Sequence, residues 1–244
     1  MKKTHLSLLF VCSMVIWSTG NGLLPILPVY AKSMGANNLM VGAYLAISYM
    51  FLAAGVMTTG YLVNKFMAAK PLIITTGTVC LPLTLMIGWV DGIELLILLT
   101  SLVWFLGGMS FSALNTLASD LTTPTSRGTD FTVLAMASPA GAIIGGLMSG
   151  PIVDLWDFQS LFVAMAWLSL LWPLSMSLLD ISPERDTFTE VNSSLSYSYT
   201  KPNESRLHLS MNIKLLLLAS VCAFIANFMG ILGLSLGMQE QGFT

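Results

Sequence analysis

Apolar residues run along this chain in seven long blocks separated by short polar breaks. The blocks cover about 6–31, 41–63, 71–90, 95–118, 131–153, 160–179 and 213–238. Each matches the length of about 20 apolar residues that a helix needs to cross the hydrocarbon core of a bilayer. Lys2 and Lys3, followed by apolar residues, imitate a signal peptide, but the apolar character continues past Gly22 through LLPILPVYA. That length suits a full span better than a short cleaved segment. The stretch 181–211 is rich in Ser, Thr, Asn and Glu and reads as a flexible linker.

Composition agrees with a membrane protein. The chain is 55% hydrophobic, has a mean hydropathy of +0.79 and is only 9% charged, where soluble domains carry about 25% charged residues. The bilayer is therefore the first partner expected, and nothing points to nucleic acid. Cys12, Cys80 and Cys222 lie far apart in apolar blocks. They form neither a metal spacing nor a disulfide framework and read as small hydrophobes. No cofactor or metal is expected.

The loop charges orient the chain. Lys2, Lys3, Lys65, Lys70, Arg127, Arg185, Lys201, Arg206 and Lys214 fall on one side, and only Lys32 on the other, beside Asp91, Glu94, Asp154 and Asp157. Nine of ten basic residues on one side make that side cytoplasmic, with the amino terminus and the linker inside. The sequons at Asn192 and Asn203 then lie in the cytoplasm and are not glycosylation sites. The expected location is the plasma (inner) membrane.

The stretch GYLVNKFMAAK, 60–70, breaks the second and third blocks. It resembles the signature loop of the major facilitator superfamily, Gly-x-Leu-x-Asp-Arg/Lys-x-Gly-Arg/Lys. Gly60, Leu62 and Lys65 match, and Lys70 keeps the terminal positive charge; Asn64 replaces the aspartate and Met67 the second glycine. The stretch NTLASDLTTPTSRG, 115–128, resembles the family's link from the fourth to the fifth helix, closing on Arg127 and Gly128. GAIIGGLMSGP resembles the glycine-rich fifth helix of family antiporters, with Gly145 and Gly146 in place of the usual Gly-Pro pair. The arginine usual in the fourth span is absent, Val103 and Trp104 occupying its candidate positions.

The resemblance implies an all-α membrane protein: a six-helix half-bundle of two inverted three-helix repeats, 1–180, a cytoplasmic linker, 181–212, and the first helix of a truncated second half, 213–244. It implies a secondary transporter that moves a small molecule by alternating access, and a fragment of a longer chain. It places the substrate cavity between the first, fourth, seventh and tenth helices near the midplane. Here those helices offer Trp17 and Asn21, then Trp104, Ser112 and Asn115, then Asn227. Buried amides demand partners, which substrate, cavity water or a neighbouring helix can supply. Asn21 and Asn115 are expected to line one cavity. Gly20, Gly22, Pro25 and Pro28 are expected to loosen the first span and free carbonyls there. The signature loop and Arg127 are assigned to gating.

Gly141 with Gly145, and Gly146 with Gly150, form small-xxx-small pairs that let helix backbones approach. Their partner is either a helix of this half or, as the family implies, the eighth helix. No charged residue lies deep in any block, so a coupling proton would need an end residue such as Asp130 or a group outside this half. An uncharged, drug-like or apolar compound suits such a cavity better than a polyanion. The competing readings are a seven-helix receptor or sensor, against which the seventh block carries no lysine within its span past the terminal Lys214, and a non-functional transporter fragment. No His, Asp, Ser or Lys cluster at one membrane face suggests an enzyme.

Overall fold

The computed structural model describes residues 1, 3–66, 69–180 and the isolated positions 215, 218, 219 and 222. Residues 1–179 belong to one compact unit. It contains α1 (Lys3–Leu23), α2 (Ile26–Ser33), α3 (Asn38–Phe66), α4 (Ala69–Ile87), α5 (Ile93–Leu121), α6 (Arg127–Ala135), α7 (Ala137–Leu155) and α8 (Phe158–Ser177). No strand occurs among the described residues. Of the second unit, Asp180–Leu234, only Asp180, Leu215, Leu218, Ala219 and Cys222 are described, the last four being helical. The seventh block therefore lies largely outside the described residues, as does the linker.

Six segments are long and apolar enough to cross a membrane. In hydrocarbon every backbone N–H and C=O must be satisfied within the segment, which makes each apolar block a helix. Polar residues and glycine set the ends. Asn37 Oδ1 accepts from Met40 N at 2.8 Å at the start of α3, and Asp157 Oδ1 accepts from Ser160 N at 2.6 Å at the start of α8. Gly35, at φ 88°, turns the chain after α2.

Proline interrupts two spans. Pro25 has no N–H for the Asn21 carbonyl and Pro28 none for Leu24, so the first span breaks between Leu23 and Ile26. Pro139 likewise leaves the Ala135 carbonyl unbonded, and the fifth span breaks at Met136 into α6 and α7.

The helices pair in a pattern that survives exchange of the first three spans for the second three. α5 packs on α3 and α4, as α1 packs on α7 and α8, while α4 packs on α8. Glycine makes the closest crossings. A Cβ on Gly141 would meet Met14 O at 2.7 Å and Ser18 N at 2.8 Å. A Cβ on Gly55 would overlap Phe105 O and come within 3.2 Å of Met109 N. In both cases a glycine lies across the carbonyl and the amide four residues on. Gly108 meets Leu52 O on α3, and Gly145 meets Ser18 O and Gly22 on α1. Lipid gives helices no hydrophobic drive to associate, so such close approach is the source of their attraction.

Buried hydroxyls repeat the symmetry. Thr19 on α1 pairs with Ser169 on α8 at 3.3 Å. Thr76 on α4 pairs with Ser110 on α5. Thr19 and Ser169 also bond the carbonyls one turn back on their own helices, at 3.1 and 2.8 Å, and Thr76 bonds Leu72 O at 2.7 Å. These buried groups are therefore satisfied within the protein.

Two expected loops are mostly helix. The stretch 60–70 completes α3 as far as Phe66, and α4 has begun by Ala69. Tyr61, Leu62 and Val63 continue the apolar block, and Lys65 sits favourably in the last turn of α3. The stretch 115–128 is α5 up to Leu121 and α6 from Arg127, leaving 122–126 as the connection.

Candidate functional site

α5 carries a polar face on its last turns. Ser112, Asn115, Thr116 and Ser119 follow the i, i+3, i+4, i+7 spacing of one helical side. With Val56 of α3, Phe111 and Asp120 they line a cleft of about 470 Å³. Asn115 is half-buried there, and its Nδ2 donates to Phe111 O at 2.9 Å on its own helix. That bond leaves Oδ1 as an acceptor for something in the cleft. Spacing alone would have added Thr116 and Ser119 to the candidates; Val56 and Phe111 carry no such signal, since their role depends on how α3 crosses α5.

Trp17 of α1 reaches Phe111 on this lining. Its ring stands edge-on to Phe111, centroids 5.4 Å apart and planes at 79°. This joins the first and fourth spans at the residue that closes one end of the cleft. The geometry is the favourable edge-to-face one.

Asn21 lies one turn beyond Trp17 on α1, and Asn115 one turn beyond Phe111 on α5. The first and fourth spans run in opposite directions, so those turns lead away from each other. At 1.5 Å rise per residue the two amides stand roughly 12 Å apart along the bundle. Asn21 is not among the residues that line the cleft at Asn115, and the Trp17–Phe111 contact lies between the two amides. Asn21 is half-buried, with no hydrogen-bond partner for its amide among the described residues. Its own carbonyl is the one that Pro25 leaves free. The first span thus offers a donor and two acceptors within one residue.

Trp104 is half-buried against Tyr49 of α3, 4.7 Å between centroids, and does not line the cleft. Ser110, further along α5 from Trp104, is fully buried on Thr76. Asn227 lies outside the described residues. Gly141 and Gly145 contact α1, within this half, whereas a Cβ on Gly146 or Gly150 would meet nothing within 4 Å. The four glycines therefore do not form one contact face.

The sequence profile of the Major Facilitator Superfamily matches residues 6–244. The chain belongs to the major facilitator superfamily. It is an integral, multi-pass membrane protein. Among solved structures it resembles a peptide transporter, POT, crystallised in complex with sulfate, at TM-score 0.65 and 15% identity, covering 79% of this chain and 44% of that one. At that identity the likeness concerns the fold, and the chain spans less than half the length of that transporter. No curated protein matches the sequence.

The residues that resemble the superfamily's signature loop lie at the end of α3 and the start of α4. Gly60 is exposed with open space around it, and Leu62 is half-buried. Lys65 Nζ lies 5.6 Å from the centre of the Tyr61 ring. The side chain of Asn64 lies outside those described. Lys70 Nζ donates to Leu179 O at 2.5 Å, joining the start of the third span to the end of the sixth. Arg127 Nη2 donates to Ser119 Oγ at 3.1 Å across the 122–126 turn. Beside it the buried Asp130 carboxylate accepts from Ser126 Oγ at 2.8 Å and lies 3.4 Å from the amino-terminal ammonium. The carboxylate singled out for proton coupling is thus already paired, at the end of a span and away from the midplane.

Proposed function

We propose that the six-span bundle forms the amino-terminal half of a secondary transporter that moves a small molecule by alternating access. The observation that carries this reading is the cleft at Asn115, walled by the fourth span of a superfamily member and closed at one end by Phe111 against Trp17. In this reading the amino terminus and the 122–126 turn face the cytoplasm, and the cleft is the cytoplasmic approach to the substrate. Asn115 Oδ1 and the hydroxyls of Ser112, Thr116 and Ser119 accept or donate hydrogen bonds to it, and Val56 and Phe111 contact its apolar part. Asn21, with Pro25 behind it, serves the substrate on the far side of the Trp17–Phe111 pair. Asn227 and the second half supply the facing wall.

The lining favours an uncharged or weakly polar compound, because it carries hydroxyls, an amide and the Asp120 carboxylate, and Arg127 at its edge is engaged by Ser119 Oγ, so a polyanion's desolvation is poorly offset. Any proton coupling then uses a residue at a span end or in the second half. Glycine seams hold each wall together, so that the walls move as bodies.

Substituted-cysteine labelling tests the reading. Asn115→Cys is expected to react with a membrane-impermeant maleimide from the cytoplasmic side, and Asn21→Cys from the opposite side. A transported compound should slow both reactions. Equal labelling of both positions from one side, unaffected by any transported compound, would refute it.

A further inference from the structure

A second cleft, of about 360 Å³, lies at the opposite end of the bundle, where α4 and α7 end and α8 begins. Trp89 and Trp156 flank it, 57% and 69% exposed. Ile152 and Val163 contribute apolar wall, and Asp157 and Gln159 stand at the helix ends. Neither the transport reading nor the superfamily signature uses any of these residues.

The position identifies the environment. The three helix ends mark the boundary between hydrocarbon and head groups, where tryptophan's apolar body and polar edge suit both sides. An exposed pair of tryptophans above an apolar groove therefore meets lipid. The charge identifies the head group. This end of the bundle carries Asp91, Glu94, Asp154 and Asp157 against one lysine, Lys32, and so disfavours an anionic lipid. Asp157 Oδ1 is engaged by Ser160 N, and its second oxygen has no partner among the described residues. That cap holds the carboxyl below its usual range, which keeps it charged. An ammonium with N–H groups can donate to that oxygen and to the Gln159 carbonyl; a trimethylammonium cannot. Tryptophan faces attract either cation.

We propose that this cleft binds a phospholipid whose head group bears a primary ammonium, of the phosphatidylethanolamine class. The ammonium lies at Asp157 and Gln159, between Trp89 and Trp156, and the acyl chains descend along Ile152 and Val163. The bound lipid fills the groove beside α8.

The full chain in mild detergent, offered phosphatidylethanolamine, phosphatidylcholine and phosphatidylglycerol with identical acyl chains, provides the test by native mass spectrometry. Hydrogen bonding to the exposed carboxylate favours phosphatidylethanolamine over phosphatidylcholine, and cation–π contacts favour it over phosphatidylglycerol, which supports about threefold or greater retention over each. Asp157→Asn should abolish the preference over phosphatidylcholine while keeping α8, because asparagine caps a helix as well as aspartate does. Asp157→Ser is a second cap-preserving variant, and Asp154→Asn, outside the cleft, should leave the preference intact. Equal retention of the three lipids by the unaltered chain would overturn the proposal, as would a preference over phosphatidylcholine that survives Asp157→Asn. So would displacement of the lipid by equimolar glycerophosphoethanolamine, which would make the cleft a site for soluble amines.

Discussion

Replacing Gly141 by alanine adds one methyl group at the α1–α7 crossing, and its effect can be worked out from distances. The new Cβ would lie 2.7 Å from Met14 O, 2.7 Å from Trp17 Cβ and 2.8 Å from Ser18 N, where ordinary contact begins at 3.4 Å. Two of the three atoms are backbone and the third is the first atom of a side chain, so none can rotate away. The seam must open by about 0.6 Å, a gap that forfeits a quarter or more of each dispersion contact across it. Overpacking of this kind costs about 1–3 kcal/mol. Alanine returns about 0.5–1 kcal/mol through its better helix propensity. The net expectation is a loss of about 0–2.5 kcal/mol, centred on about 1 kcal/mol. For a unit of this size a loss of that central value lowers Tm by roughly 2–4 °C. Gly146→Ala is the matched control: its Cβ meets nothing within 4 Å, so only the propensity gain remains and Tm should hold or rise. Thermal unfolding in detergent, followed by tryptophan fluorescence, measures both. Equal Tm values for the two variants would refute the seam argument, whatever their transport activity.

Three further outcomes follow from bonds already described. A double-mutant cycle on Thr19→Val and Ser169→Ala should return about 0.6 kcal/mol of coupling in detergent unfolding, and Thr76→Val with Ser110→Ala a similar value; zero coupling in both would remove the hydroxyl ties. Lys70→Met should lower stability by about 1 kcal/mol through loss of the bond to Leu179 O, and an unchanged unfolding midpoint would show that the bond contributes nothing. Asp157, whose carboxyl is held low chiefly by the Ser160 N–H, should support α8 fully above the usual carboxylate pKa of about 4. That support is lost only as pH falls through the depressed folded-state value. Asp157→Asn should remove this acid dependence, which a pH series of melting curves from 7 to 3 would reveal.

The spans were legible because lipid allows the backbone one solution. An apolar block of the right length becomes a helix, and the blocks 41–63 and 71–90 differ from α3 and α4 chiefly at their ends. Most ends moved outward because helices continue into the head-group region, where Asn38 and Lys65 are tolerated, whereas α4 stops at Ile87, short of its block's end. The first-span break was legible too, since Pro25 and Pro28 remove specific hydrogen bonds. The site was legible in part. Ser112 and Asn115 could be placed by spacing on one side of α5, but the partners of that side could not. Tyr49 against Trp104, Phe111 against Trp17 and Val56 in the cleft depend on the crossing of α3, α5 and α1. Gly55 and Gly108 set the α3–α5 crossing and Gly141 the α1–α7 crossing, and nothing in a single glycine says which helix it will touch. Gly145 and Gly146 are neighbours in sequence, yet one is pressed on α1 and the other open, since adjacent helical residues point about 100° apart.

The repeated hydroxyl ties are equivalent in space and unequal in the order in which they can be made. Thr76 and Ser110 are 34 residues apart, and both exist once the fourth span has been synthesised. Thr59 reaches Met109 O across 50 residues on the same schedule. Thr19 and Ser169 are separated by 150 residues. With synthesis running at about 5–20 residues per second, α1 stands in the bilayer for several seconds before α7 and α8 arrive. During that interval its glycine crossing is unfilled and Thr19 has only the carbonyl of Val15. The span made first is thus the last to be fastened, and a substitution at the α1–α7 seam should be felt in the yield of inserted protein before it is felt in the finished molecule.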